Sequence, residues 1–228
     1  MAKSGIFIVI EGTDGSGKTE QFNRLYKKIK RHGFVCERTD FPQYLKPSSY
    51  FIKRYLNGDY GGWQEVSPYQ ASIFYALDRF EASAKIKKWL NQGKIVLSNR
   101  YVASNLGHQG VKIKNKKERR KFFYWLNDFE YHILKVPKPD INIFLHMPSS
   151  FAYKLIGRKE KREYLKGKKR DIHEQDIKHL KEAEKVYLEV SRLLKKDFVT
   201  VECAKEGKIL SKKEIEAKIW TVVKKFLW

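Results

Sequence analysis

The chain has 228 residues, 48 of them Lys or Arg and 26 Asp or Glu, for a formal net charge of +22 at pH 7. At 42% hydrophobic and 14% aromatic it is too apolar for a disordered basic tail, and its length suits one mid-sized domain over residues 1–228. Its longest early apolar run, Ile6-Phe7-Ile8-Val9-Ile10, is far short of the roughly 20 residues of a membrane span, no secretory leader is visible, and Cys36 and Cys203 stand isolated, so a cytoplasmic protein with no membrane attachment, disulfide framework or Cys-rich zinc site is expected.

Gly5–Ile10 reads as a buried parallel strand. Glycine-rich punctuation follows, then a helix from Lys18 to about Arg31, stopped near Gly33. Phe34–Thr39 is a second strand. Pro68 to Leu90 is a long helix with Ile73, Leu77, Phe80 and Ala84 on one side, ended by Asn91-Gln92-Gly93. Lys94–Ser98 is a third strand, and Lys117–Leu134 an aromatic-rich helix closed by Val136-Pro137-Lys138-Pro139. Ile141–Leu145 is a fourth strand. Phe151–Ile156 begins a short helix that runs into the basic stretch Arg158–Arg170. Ile172–Lys195 is a long helix, Asp197–Val201 a fifth strand and Lys212–Leu227 a closing helix. Short apolar strands separated by helices predict an α/β fold, a five-stranded parallel sheet flanked by helices.

Directly after the first strand comes Gly12-Thr13-Asp14-Gly15-Ser16-Gly17-Lys18-Thr19. It fits the phosphate-binding pattern G-x-x-x-x-G-K-[ST] and has the required strand before it and helix after it. Glycines let consecutive backbone N–H groups curl around phosphate oxygens, and the helix N-terminus adds partial positive charge. Lys18 supplies a full charge and the Thr19 hydroxyl can ligate Mg²⁺. Binding of ATP or GTP follows. The nearest approach to a guanine-reading Asn-Lys-x-Asp segment is Asn115-Lys116-Lys117-Glu118, which ends in Glu and follows no apolar strand. Strands three and four end in Asn99 and His146, neither a good Mg²⁺ anchor for a motor-type ATPase. A small phosphoryl-transfer kinase fits best.

Further segments resemble the thymidylate (dTMP) kinases, P-loop nucleoside monophosphate kinases, over almost the whole length. They are Glu11–Thr19, Phe41-Pro42-Gln43-Tyr44, Tyr75-Ala76-Leu77-Asp78-Arg79, Asn99-Arg100-Tyr101-Val102-Ala103-Ser104-Asn105, Pro139-Asp140, and Asp171-Ile172-His173-Glu174. The resemblance implies ATP + dTMP → ADP + dTDP with Mg²⁺, within dTTP biosynthesis, by a homodimer. It implies that Arg100 grips the dTMP phosphate, a task suited to a planar guanidinium fork at a strand's C-terminal end. Tyr75 and Arg79, four apart and so on one helix face, would stack on thymine and hydrogen-bond its edge. Asn105 would contact the base, Phe41 and Tyr44 would wall the deoxynucleotide, His108 would lie near the deoxyribose, and Asp14 would hold the sugar hydroxyl. The same resemblance implies a basic lid at about 157–171. Some members carry an Arg at the position of Gly15; this chain has Gly15 with Arg158 and Arg162, the lid-arginine type, and Arg170 is a further candidate. Lys18, Arg100, Arg158 and Arg162 are thus the expected catalytic cations. Thr19 is the expected metal ligand, with Asp14 and Glu174 as further candidates.

The chain departs from that family's pattern at Asn99, usually Asp; at Gln43, often Arg; at His108, often Tyr; and at His146, a common acid. Gln43 and His108 leave open how strictly dTMP is preferred over dUMP or another deoxynucleotide, whereas Asn99 bears on rate more than on binding. An adenylate-type kinase, a nucleic-acid-binding P-loop ATPase and a degenerate nucleotide-binding module are the alternatives. The site uses few of the surplus cations; most lie elsewhere, as in Lys112–Lys121 and Lys205–Lys218. Nucleic acid is therefore not the expected partner, because a charged surface needs none.

Overall fold

The computed structural model describes residues 5–156 and 177–227. Strand β1 (Ile6–Glu11) leads into helix α1 (Lys18–Arg31) and strand β2 (Cys36–Asp40). A short 3₁₀ turn (Pro47–Ser49) opens α2 (Tyr50–Asn57), followed by α3 (Pro68–Asn91), β3 (Ile95–Asn99) and α4 (Val102–Gly110). Then come α5 (Lys116–Asn127), a π-helical turn (Asp128–Ile133), β4 (Ile141–His146) and α6 (Ser149–Ile156). The last elements are α7 (Ile177–Leu193), β5 (Phe198–Glu202), the hairpin β6 (Ala204–Lys205) and β7 (Lys208–Ile209), and α8 (Lys212–Leu227). The five main strands pair in the order β2-β3-β1-β4-β5, and all four pairings are parallel. The expected five-stranded sheet is present. The basic lid, with Arg158, Arg162, Arg170, Asp171 and Glu174, lies outside the described residues.

Central strand β1 explains the two-layer packing. Its Phe7 and Val9 face a core shared with α4, α5 and α7, while Ile8 and Ile10 face a second core built with α1 and α8. A strand covered on both faces needs apolar residues at every position, hence the unbroken run.

Several elements differ from the sequence expectation. The expected helix Lys117–Leu134 gives way at Asp128 to the π-helical turn, a widening the apolar spacing does not reveal. Asn115, the start of the near-miss guanine motif, is the N-cap of α5: its Oδ1 accepts from the N–H groups of Lys117 (2.8 Å) and Glu118 (3.2 Å). Helix α4 shows no amphipathic stripe because eight of its nine residues are buried. It packs against α7 so closely that a Cβ on Gly107 would fall inside the Tyr187 ring.

Helix α3 starts where a capping box places it. Ser67 Oγ accepts from Gln70 N–H (3.2 Å), and Gln70 Oε1 accepts from Ser67 N–H (3.0 Å). Its orientation is the reverse of the usual surface helix. Leu77 and Phe80 of the apolar side are 43% and 51% exposed. The side turned inward carries Ser72, Ala76, Asp78, Arg79 and Ser83.

At the end of β4, His146 ties three elements together. Its Nδ1 lies 2.7 Å from Glu202 of β5 and its Nε2 2.9 Å from Glu184 of α7. The other Glu184 oxygen accepts from the N–H of Ser149, which opens α6 (2.9 Å). Two carboxylates facing both ring nitrogens favour the imidazolium, and the hydrogen bond to Glu184 leads in raising the His146 pKa above its ordinary value. A raised histidine pKa stabilises the fold fully below the unfolded value near 6.5 and loses that contribution as pH rises through the folded value. The substitution His146→Gln is therefore expected to lower Tm at pH 6 by clearly more than at pH 9, read from melting curves across that range; an equal loss at both would show that the tie is not ionic.

Candidate active site

The phosphate loop joins β1 to α1. Gly12 (φ 153°), Gly15 (φ 79°) and Gly17 (φ 83°) take conformations that other residues rarely adopt, and Gly17 is the left-handed N-cap of α1. Lys18 is nearly buried, and its Nζ donates to Thr13 O within the loop (2.6 Å).

Beside the loop, the end of β3 delivers Arg100 in a left-handed backbone conformation (φ 67°). Such a conformation in a residue with a Cβ costs roughly 1–2 kcal/mol. Three hydrogen bonds hold it: Arg100 N–H to Ile10 O (2.9 Å), Ser98 Oγ to Arg100 O (2.6 Å), and Tyr101 N–H to Glu11 Oε1 (2.7 Å). Glu11 is wholly buried and also accepts from Ser104 Oγ (2.8 Å) and Tyr187 OH (3.2 Å). Burial pushes its carboxyl above the ordinary range, while Arg100 and the donors of Ser104 and Tyr101 pull it down.

The Arg100 guanidinium spans the site. Its Nη2 pairs with Asp14 of the phosphate loop. Its Nη1 reaches Gly12 O (3.3 Å), Ser104 Oγ (3.2 Å) and His108 Nε2 (3.1 Å). Arginine has no acceptor, so His108 Nε2 must accept and the ring is neutral. Burial first, then the neighbouring Arg100, His179 and Lys18 charges, holds the His108 pKa well below its ordinary value despite Asp14.

From Arg100 a cleft of about 690 Å³ runs inward. Asp14, Phe41, Tyr44, Tyr75, Arg79, Arg100, Asn105 and His108 all line it, with Gly15, Gly17, Lys18 and Thr19 of the phosphate loop. Gly12, Thr13 and Ser16 of the loop are buried and are not among the lining residues. Phe41 packs edge-on to Tyr101 (5.4 Å between centroids), and Asn105 Nδ2 donates to Ser72 O of α3 (3.2 Å). Arg79, 1% exposed, gives Nε to Glu130 Oε2 (2.6 Å) and Nη2 to Glu130 Oε1.

The thymidylate kinase family model matches residues 10–215. The chain belongs to the thymidylate kinase family. A Pyrobaculum aerophilum protein named "probable thymidylate kinase" is 32% identical over 70% of this chain and 75% of its own. The thymidylate kinase of Mycobacterium tuberculosis is 27% identical over 82% of this chain and 86% of its own. A solved thymidylate kinase structure from Candida albicans superposes with a TM-score of 0.69, at 22% identity, covering 97% of this chain and 92% of that one, which shows the shared fold.

Against that family the departures acquire a geometry. Gln43 is bound to the Asp78–Glu81 segment of α3: its N–H donates to Asp78 Oδ2 (2.8 Å) and its Nε2 to Asp78 O (3.1 Å) and Glu81 Oε2 (3.1 Å). The Phe41–Tyr44 wall is thereby pinned to the helix that carries Tyr75 and Arg79. Asn99 is buried and its Oδ1 has no hydrogen-bond partner among the described residues, while its side chain bonds to Asp40 at the end of β2. Asp40 also lines the cleft. The surrounding protein pushes its carboxyl up to about 6, against the pull of Asn99, Arg100 and Lys18. An acid thus stands one strand over from the position where the resemblance leads one to expect it. Asp40 directly precedes the Phe41 motif at a parallel strand's C-terminal end, which was a usable signal. Asp78 stood inside the Tyr75–Arg79 segment without a role assigned to it, and Glu130 carried no such signal.

Magnesium fits the described donors. The Thr19 hydroxyl, the Asp14 and Asp40 carboxylates and Asn99 Oδ1 offer hard oxygen donors at one cleft. Among the described residues no group of three or more His, Cys, Asp or Glu could hold a metal by itself, and Mg²⁺ commonly takes one or two carboxylates plus substrate phosphates.

Gly15 explains why an arginine does not suit this loop. Besides its positive φ, an added Cβ would run into the backbone carbonyl of Ala152 in α6. Gly15→Arg is expected to weaken ATP binding by about tenfold or more by calorimetry, since about 1.4 kcal/mol per tenfold is within the strain of a left-handed residue alone. An unchanged Kd would mean that α6 gives way.

Proposed function

We propose that this chain phosphorylates dTMP to dTDP with ATP as donor. The observation that carries the reading is the convergence, on one cleft, of a phosphate loop, an arginine at the adjacent strand end, the aromatic side chains of Phe41, Tyr44 and Tyr75, and two polar groups, Arg79 and Asn105. ATP phosphates lie on the backbone N–H groups of Gly12–Thr19 with Lys18 beside them. Arg100 takes the acceptor phosphate, with Asp14 and His108 fixing the guanidinium. Thymine lies between Phe41 and Tyr75, its edge toward Arg79 and Asn105.

The acceptor phosphate is already ionised at pH 7, so no general base is needed. The protein's work is positioning and charge neutralisation. Lys18 and Arg100 supply it from the described residues, and Arg158 and Arg162 supply the rest from the lid. Thr19, with Asp14 or Glu174, would hold Mg²⁺, which when bound would supply neutralisation of charge on the transferred phosphoryl group.

A second copy of the chain is the proposed partner besides ATP and dTMP. The exposed Leu77 and Phe80 of α3 continue into Tyr50 and Phe51 of α2, where Phe51 stacks on Phe74 (5.7 Å). A contiguous apolar face of this kind marks an interface. Among the described residues no helix is long and apolar enough to cross a membrane. The free thiols Cys36 and Cys203 are in keeping with the cytoplasm.

A panel of nucleoside monophosphates with ATP and Mg²⁺, followed by ADP release, is expected to rank dTMP first; inactivity on dTMP and every other member would sink the reading. In the same assay Arg100→Lys, which keeps charge but loses the fork, should lower kcat/KM for dTMP roughly tenfold to a hundredfold, the scale of one charge-assisted hydrogen bond. Sedimentation of Phe80→Asp should show a monomer where the unaltered chain is a dimer; a monomeric unaltered chain would remove the partner from the proposal.

A further inference from the structure

Arg79 and Glu130 form a closed pair at the inner end of the cleft. Their side chains are 2% and 0% exposed, and they are 51 residues apart in sequence. Both carboxylate oxygens are used, one on Nε and one on Nη2 of Arg79. The π-helical turn presents Glu130, and such turns recur at functional sites. The nearer acid in sequence, Asp78, is occupied elsewhere: it accepts from Gln43 N–H (2.8 Å) and from Ser48 Oγ. Among the described residues the remaining nitrogen, Nη1, has only a long contact to Tyr101 O (3.4 Å), and the guanidinium carbon sits 5.9 Å from the Tyr101 ring centroid.

A guanidinium has five N–H donors and no acceptor. Glu130 takes two of them and fixes the plane of the group, so what Arg79 offers the cleft is a donor-only edge in one orientation. Whatever meets that edge must accept. A pyrimidine with a ring carbonyl does so; a pyrimidine with an amino group at the same position sets donors against donors.

We propose that Glu130 is a positioning residue for acceptor choice: by locking Arg79 it makes the inner pocket select bases carrying a carbonyl over bases carrying an amino group. This rests on the reading of the chain as a dTMP kinase with Arg79 at the base edge. A merely structural role predicts a different outcome. A Glu130 that served only to neutralise a buried charge would affect stability and leave substrate choice alone.

Steady-state kinetics on the full chain separate the two, with dTMP and dCMP as acceptors and ATP varied in turn. Glu130→Gln is expected to raise KM for dTMP at least about tenfold, the scale of one charge-assisted hydrogen bond, with KM for ATP and kcat within about threefold. The dTMP-over-dCMP ratio of kcat/KM should fall by a similar factor. Glu130→Asp, which keeps the charge and shortens the reach, should lie between. The pair Arg79→Met with Glu130→Leu should match Arg79→Met alone, because Glu130 acts through Arg79. That pair leaves no unpaired buried charge, so it carries the comparison if Glu130→Gln does not fold. A folded Glu130→Gln or Glu130→Asp with KM for dTMP within twofold of the unaltered chain would overturn the inference. So would a double variant about tenfold worse than Arg79→Met. An unaltered chain that turns over no dTMP overturns the functional reading and the inference together; an active one with an indifferent Glu130→Gln overturns the inference alone.

Discussion

The buried carboxylate of Glu11 is the constraint on which the site depends. It closes the central strand at the point where the chain turns into the phosphate loop, and it accepts from Tyr101, Ser104 and Tyr187. Those donors belong to the β3–α4 junction and to α7, so one side chain joins the phosphate loop to the elements that carry the acceptor site. Truncating an acceptor that satisfies two buried donors and a partly buried one leaves them without it, a larger effect than the loss of any one bond. The strained Arg100 backbone persists because this network over-determines it.

From Glu11 outward, the charges of the cleft are held in matched sets. Arg100 has Asp14, Arg79 has Glu130, and His108 is kept neutral so that it can accept from Arg100. Each cation is therefore oriented before substrate arrives. Preorganisation of this kind lets binding energy act on placement of the two phosphates and leaves little side-chain ordering to be done. The +22 surplus is mostly elsewhere, and the cations that matter to the cleft are few and individually tethered.

Helix α3 shows how function inverts a packing rule. Its inward side carries Ser72, Asp78, Arg79 and Ser83 among small residues and Ile86, and helps build the cleft and anchor the Phe41–Tyr44 wall, while the large apolar Leu77 and Phe80 face out. A periodicity argument finds the helix and its ends, since Ser67, Pro68 and Gln70 are local signals, yet the usual rule that the apolar stripe seeks the core assigns the inner face wrongly. Helix α4 escapes periodicity altogether, being buried on nearly every side. The π-helical turn at Asp128 is likewise silent in the sequence, because one extra residue in a turn leaves the composition unchanged.

The sequence by itself determined the parallel sheet and the phosphate loop, which rest on interactions within a few residues: an unbroken apolar strand, glycines at positive φ and a helix N-terminus. Resemblance to the family named further residues that line the cleft, though not Asp40. Only the tertiary structure decided which groups orient those residues. The pairs Arg79–Glu130, Asp14–Arg100 and Glu11–Tyr187 are 51, 86 and 176 residues apart. Their partners are chosen by where the sheet and its covering helices bring distant side chains together, and burial then makes each pairing obligatory, because a charge or polar group left alone there is too costly to keep.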